Sequence, residues 1–84
     1  MIELYHAEDC PFCVRVRKFF EDSGVAYVSK PVPLRKNSPI KDELLAVGGK
    51  IQVPFLVDAG NDVKMYESLD IIEYVKREYL SAKA

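Results

Sequence analysis

Cys10 and Cys13 carry the plainest chemistry in this chain, and they are its only cysteines. Thiolates attack disulfides and bind soft metals, and a pair of thiols can close a disulfide. A three-residue separation closes too short a loop to staple distant parts of a fold. Two cysteines also fall short of the four ligands of a structural zinc site. A redox dithiol remains, beside a half zinc site completed by His6 or a second chain, and a pair of inert buried thiols at helical spacing. Position makes the two thiols unequal. Cys10-Pro11 reads as a helix start, because proline is tolerated where its missing N–H would be unpaired anyway. Free N–H groups and the positive end of the helix dipole then favour thiolate at Cys10, the nucleophile by position. Cys13 lies one turn on, near the edge of the apolar stripe, within reach of a mixed disulfide on Cys10.

The positioning elements follow from apolar spacing. Ile2 to His6 reads as a strand and Ala7-Glu8-Asp9 as a polar turn. The first helix carries Phe12, Val16, Phe19 and Phe20 at i, i+4, i+7 and i+8, with Phe12 expected at the exposed rim. Gly24 stops it. Val25 to Ser29 reads as a second strand, and Lys30 to Pro39, with three prolines, as a loop. Ser38-Pro39 reads as the cap and start of a helix with Ile40, Leu44 and Val47 inward, ended by Gly48-Gly49. Phe55 to Val57 and Val63 to Tyr66 read as an antiparallel hairpin around a turn of residues 58–62. Ser68 is expected to cap the last helix, with Leu69, Ile72, Val75 and Tyr79 inward and a Glu73–Arg77 pair on its surface. The order β-α-β-α-β-β-α predicts an α/β fold: a four-stranded mixed sheet with helices on both faces. A CxxC that follows a strand and opens a helix in a βαβ unit signals a thioredoxin-like redox site, which favours the redox reading.

Eighty-four residues are expected to form one domain, 1–84. Twelve Lys and Arg against 13 Asp and Glu leave a net charge of −1, which argues against nucleic-acid binding and against attraction to an anionic membrane. The apolar runs are too short to span a bilayer. The first residues lack a basic region and a long apolar core, so no signal peptide and a cytoplasmic location are expected. The even balance hides a segregation. No acid occurs between Asp22 and Asp42, where Lys30, Arg35, Lys36 and Lys41 all fall. That segment is a solvated basic loop, or a docking surface for an acidic partner or a carboxylate.

Cys10-Pro11-Phe12-Cys13 resembles the Cys-Pro-Tyr/Phe-Cys site of dithiol glutaredoxins. Val53-Pro54 resembles their Thr-Val-Pro segment, with Gln52 in place of Thr. Glu67-Ser68, followed by Leu69-Asp70-Ile71-Ile72, is similar to the Glu/Gln-Ser element of glutathione-transferase N-terminal domains. From about Ile2 to Tyr79 the chain resembles the N-terminal module of the two-domain, transferase-like bacterial glutaredoxin. The length is expected to hold that module alone, without the helical domain.

The resemblance implies a thioredoxin-like (glutaredoxin) fold and a glutathione-dependent thiol–disulfide oxidoreductase. It would reduce protein disulfides and glutathionylated thiols, with glutathione as co-substrate, no covalently bound cofactor and no metal, as a monomer. Cys10 and Cys13 would be the reacting pair, with Pro11 and Phe12 completing the motif. Pro54 would be cis and face Cys10, and the Val53 backbone would pair with glutathione like an added strand. Ser68 would hold the α-carboxylate of the γ-glutamyl end, Glu67 its α-ammonium, and Lys50 would touch the ligand nearby. Taken alone, Pro54 is an ordinary trans proline, Ser68 a plain N-cap and Glu67 a solvated carboxylate. His6 reads as strand-end structure, and Tyr5, Tyr66 and Tyr79 carry no assignable catalytic role. Two departures stand out. Ala7 occupies a position where glutaredoxins often carry Lys, and Glu8-Asp9 oppose the Cys10 thiolate unless Arg15 and Arg17 fold back. Tyr66-Glu67-Ser68 replaces the Gly-Gly-Cys/Thr-Asp-Asp element. The alternatives are a redoxin regenerated by thioredoxin reductase, a module holding a [2Fe–2S] cluster between two chains and two glutathiones through Cys10, and a glutathione-binding adaptor.

Overall fold

The strand β1 (Ile2–His6) is joined to β2 (Val28–Pro31) by the helix α1 (Pro11–Ser23), and the two strands run parallel with Glu3 opposite Val28 and Tyr5 opposite Lys30. The computed structural model describes residues 2–80. The chain continues through α2 (Pro39–Gly48) into a hairpin of β3 (Phe55–Asp58) and β4 (Val63–Tyr66), then α3 (Ser68–Val75) and a wider π-type turn, Lys76–Leu80. The sheet order is β2-β1-β3-β4, with β3 antiparallel to both neighbours. This is the α/β order that the apolar spacing predicts.

Side chains alternate across a strand, so β1 serves two cores. Ile2 and Leu4 face α1 and α3, packed with Val16, Phe20, Leu56, Ile71, Tyr74 and Val75. Tyr5 points to the other face, with Val32, Leu44 of α2 and Phe55. Burying each such aliphatic or aromatic side chain contributes roughly 1.5–3 kcal/mol, and a sheet covered on both faces collects this twice over.

Several boundaries and faces differ from the sequence reading. The second strand is Val28–Pro31, not Val25 to Ser29. Gly24 closes α1 at φ 75°, and the Val25 N–H still bonds the Phe20 carbonyl at 3.2 Å, so the chain leaves the helix too late to pair sooner. Pro31 is tolerated because β2 is an edge strand. On α1 the buried face is Cys13, Val16 and Phe20, with Phe19 half-buried and Phe12 out at the rim. On α3 it is Ile71, Tyr74 and Val75, while Leu69 is 62% exposed and Ile72 half-buried. Residues 69–75 are apolar around most of the helix, so spacing alone cannot choose a face; the sheet beneath chooses it. Glu73 pairs with Lys76 at 3.9 Å and Arg77 with Glu78 at 3.1 Å, in place of the expected Glu73–Arg77 pair.

The turn after β3 is built around a buried acid. Asp58, 1% exposed, accepts from Tyr74 at 2.6 Å, from Asn61 at 3.1 Å and from Tyr79. These bonds tie the hairpin to α3. Burial pushes the Asp58 carboxyl up, but the three donors outweigh it and hold it below the ordinary carboxylate range.

Candidate active site

Cys10 is the N-cap of α1, with Pro11 as first helical residue. Its extended backbone (φ −102°, ψ 113°) turns the side chain over the helix end, and the Cys13 N–H donates to Cys10 Sγ at 3.4 Å. One of the helix's free donors is thus aimed at sulfur. Cys10 is half-buried, whereas Cys13 is fully buried against the sheet. Cys13 Sγ accepts from the Ala7 N–H at 3.4 Å. Burial first, and next the hydrogen bond to Cys10, push the Cys13 thiol up to about 12; the Ala7 N–H and Arg17 pull the other way. The inequality of the two thiols is therefore larger than their spacing suggests, because Cys13 lies at the centre of the buried face.

The loop before β3 meets this helix end. The Val53–Pro54 bond is cis, the geometry that the resemblance implies. The Val53 carbonyl lies 4.0 Å from Cys10 Sγ. Beside it opens a cleft of about 510 Å³ lined by residues of three segments: Phe12 and Arg15 of α1, Gln52 to Pro54, and Glu67 to Asp70. Phe12 is 56% exposed at its edge, and the Arg15 guanidinium stacks on it at 5.9 Å from the ring centre.

The far wall of the cleft is the start of α3. Ser68 is the first helical residue and is buried, so it is not the cap that the sequence suggests. Glu67 occupies the cap position with φ 75° and its side chain makes no capping bond. Its carboxylate instead accepts from Gln52 Nε2 at 3.4 Å. α1 and α2 are both capped by side chains, Cys10 and Ser38. α3 is not, so the N–H groups of its first turn remain available to an anion in the cleft. A positive φ in a non-glycine residue is strained, and such residues gather at functional sites.

The structure thus brings together Cys10, Pro11, Phe12, Cys13, Val53, Pro54, Glu67 and Ser68. It does not bring Lys50 to the cleft wall: the Lys50 ammonium lies 4.6 Å from the Tyr66 ring centre, and its carbonyl accepts from the Tyr66 hydroxyl. The sequence does not place Arg15 and Asp70 at the cleft, nor give Gln52 its contact with Glu67. Asp70 in the first turn of a helix that borders the cleft was the available signal. Arg35 pairs with Asp9 at 3.7 Å, in the compensating role that the sequence reading gave to Arg15 and Arg17. The basic segment is largely satisfied internally. Lys30 pairs with Glu43 at 2.7 Å and Glu3 at 3.8 Å, and Lys41 binds the Leu34 and Lys36 carbonyls. No described helix is long and apolar enough to cross a membrane.

The family model of the glutathione S-transferase N-terminal domain matches residues 4–82. Glutaredoxin 3 of Escherichia coli K12 is 29% identical over 59 residues, 69% of each chain. Among solved structures, glutathione transferase Omega 3C from Trametes versicolor superposes with a TM-score of 0.81 at 28% identity, over 95% of this chain and 34% of that one. Glutaredoxin 2 from Salmonella typhimurium, solved in complex with glutathione, superposes with a TM-score of 0.74 at 25% identity, over 90% of this chain and 33% of that one. The chain thus spans about a third of the length of these two proteins. Its relatives are thioredoxin-fold enzymes, glutaredoxins and glutathione transferases, and the chain belongs to the glutathione S-transferase N-terminal domain family.

Proposed function

We propose that this protein is a glutathione-dependent thiol–disulfide oxidoreductase working through the Cys10/Cys13 dithiol. The observation that carries the reading is one juxtaposition. Cys10 Sγ lies at a helix N-terminus, 4.0 Å from the Val53 carbonyl, at the side of a cleft whose far wall is an uncapped helix start flanked by carboxylates. That cleft suits glutathione. Ser68 and the free N–H groups of α3 match an α-carboxylate. Glu67 and Asp70 match an α-ammonium, and the Val53 backbone matches the cysteinyl amide. The glutathione sulfur then meets Cys10.

In the cycle, Cys10 thiolate attacks one sulfur of a protein disulfide or a glutathionylated cysteine. The Cys10–S–S bond forms, the substrate S–S bond breaks, and the leaving thiolate takes a proton from solvent. Where the mixed disulfide holds glutathione, a second glutathione thiolate attacks the glutathione sulfur, releasing Cys10 thiolate and glutathione disulfide; where it holds a protein, Cys13 attacks Cys10 Sγ and releases the protein thiolate. A Cys10–Cys13 disulfide is reduced by two glutathiones, which leave as glutathione disulfide. The two electrons thus come from glutathione, whose cytosolic poise lies near the roughly −200 to −230 mV of glutaredoxins. Protein disulfides and glutathionylated thiols are the proposed substrates, and a monomer is the proposed working unit.

The test supplies a small mixed disulfide, glutathione, NADPH and glutathione reductase, with thioredoxin reductase in a parallel arm. Turnover is expected in the glutathione arm. Turnover confined to the thioredoxin reductase arm overturns the reading.

A further inference from the structure

Cys13 carries a difficulty that Cys10 does not. Its sulfur is fully buried, yet a dithiol cycle needs it as thiolate, the attacking species. Three groups act on it: from the turn after β1 the Ala7 N–H, at 3.4 Å, and from α1 Cys10 and Arg17. Of these the only cation is Arg17, and with the Ala7 N–H it works against the burial that holds Cys13 protonated.

Arg17 follows Cys13 by four residues on α1, so the two share a face. Helical side chains lean back toward the N-terminus, which carries Arg17 over the turn that holds Cys13. Its Nε is buried and has no hydrogen-bond partner among the described residues. The strand beneath contributes a matching group. His6 shares the face of β1 that carries Ile2 and Leu4, the face that meets α1. It is 6% exposed, its Nε2 lies 2.6 Å from Ser29 Oγ, and its buried Nδ1 has no partner among the described residues. Burial, and after it the Arg17 charge, lower the His6 pKa, which keeps the imidazole neutral. Buried polar atoms are nearly always paired, so two exceptions, on α1 and on the strand face beneath it, call for a reason.

We propose that Arg17 is a positioning residue for the resolving step, its half-buried guanidinium, with Nε turned inward, compensating the negative charge that develops on Cys13 Sγ as Cys13 attacks the mixed disulfide on Cys10. The inference rests on the dithiol reading above. In the step, Cys13 releases its proton to solvent and its thiolate attacks Cys10 Sγ. The Cys10–Cys13 bond forms, the bond from Cys10 to the bound thiol breaks, and the departing thiolate recovers a proton. Arg17 supplies positive charge and an uncommitted Nε–H donor on the helix face that Cys13 shares.

Mixing the reduced protein with the aromatic disulfide 5,5′-dithiobis(2-nitrobenzoate) in a stopped-flow cell separates the two thiols. Cys10 releases a first thionitrobenzoate, and Cys13 releases a second as it closes the disulfide. Arg17→Met is expected to leave the first phase unchanged and to slow the second about tenfold or more near pH 7, the effect of one pKa unit or more. The pH midpoint of the second phase moves upward, and Arg17→Lys, which keeps the charge, restores most of the rate. Arg17→Gln carries the same expectation as Arg17→Met, and circular dichroism selects whichever of the two folds. An unchanged second phase, equal slowing of both phases, or a Lys variant as slow as the neutral one overturns the proposal. A wild-type protein that releases only the first equivalent overturns it as well. Biphasic release without glutathione-coupled turnover instead removes the glutathione reading and leaves the role of Arg17 standing.

Discussion

The backbone N–H of Cys13 donates to the Sγ of Cys10 over 3.4 Å, so the half-buried sulfur caps the helix that carries the fully buried one. One turn of helix thus separates a half-buried thiol that accepts from a helix N–H from a thiol shielded from solvent. Alkylation should read this difference directly. Iodoacetamide at pH 7 is expected to modify Cys10 alone. In Cys10→Ser, where Cys13 is the sole thiol and burial still pushes it up, labelling should fall roughly 100-fold or more below that of a free cysteine. Peptide mass spectrometry showing equal modification of both would contradict the burial of Cys13.

The same asymmetry divides the two serine variants. Cys10→Ser should abolish reduction of every disulfide substrate, because the hydroxyl is not a nucleophile at neutral pH. Cys13→Ser should retain reduction of glutathionylated substrates, where glutathione resolves, and lose most activity on protein disulfides. Full activity of Cys10→Ser would falsify the assignment of the nucleophile.

At the opposite wall, Ser68→Ala and Glu67→Ala each remove one proposed contact to the γ-glutamyl end. A hydrogen bond to a charged group contributes roughly 1.5–3 kcal/mol, so KM for glutathione should rise about tenfold or more in each. Initial-rate kinetics at varied glutathione measure this, and an unchanged KM in both would place glutathione elsewhere. Thermal melts test the backbone at the same position. Glu67 has φ 75°, so Glu67→Gly should melt above Glu67→Ala, whereas glycine is ordinarily the less stable of the two by roughly 0.5–1 kcal/mol inside regular structure.

Asp58 gives the fold an acid limit. Its folded pKa lies below the ordinary carboxylate value, so its ionised form contributes stability above the unfolded pKa of about 3.9, and that contribution fades as pH falls below it toward the folded value. Chemical denaturation should show stability falling below about pH 4 in the wild type and a shallower dependence in Asp58→Asn. At neutral pH the variant should be about 2–3 kcal/mol less stable, since hydroxyls of Tyr74 and Tyr79 lose a charged acceptor. Parallel pH profiles in the two proteins would show that Asp58 is not the titrating group.

A close contact behind β4 provides a packing check remote from the cysteines. A Cβ on Gly48 would run into the Tyr66 hydroxyl, which is held against the Lys50 carbonyl. Gly48→Ala should cost about 1–3 kcal/mol in a denaturation experiment, the range for overpacking. A neutral result would show that Tyr66 moves aside freely.

What the sequence determined by itself was local. Pro11 after Cys10, Ser38 before Pro39 and the glycines at 24 and 49 act through their own backbone and immediate neighbours, so both helix starts and stops were legible. The strands were legible wherever apolar residues crowd one short run, as in β1 and β3. The relation between the two cysteines followed from three residues of spacing and a helix start. Only the tertiary structure decided which faces are buried. α3 is apolar around most of its surface, so the sheet, not the spacing, turned Ile71 inward and Leu69 out. The same holds for the ends of β2, set by pairing with β1, and for Lys50, whose closeness in sequence to Val53 does not bring it to the cleft wall. Arg17 and Asp58 read as surface charges in the sequence. Asp58 takes its partners from the tyrosines of the last helix and the turn that follows it, and the Arg17 charge acts on His6 of β1. Long-range burial alone separates such groups from the solvated charges around them, because a side chain's surroundings are made by segments that its own neighbourhood does not contain.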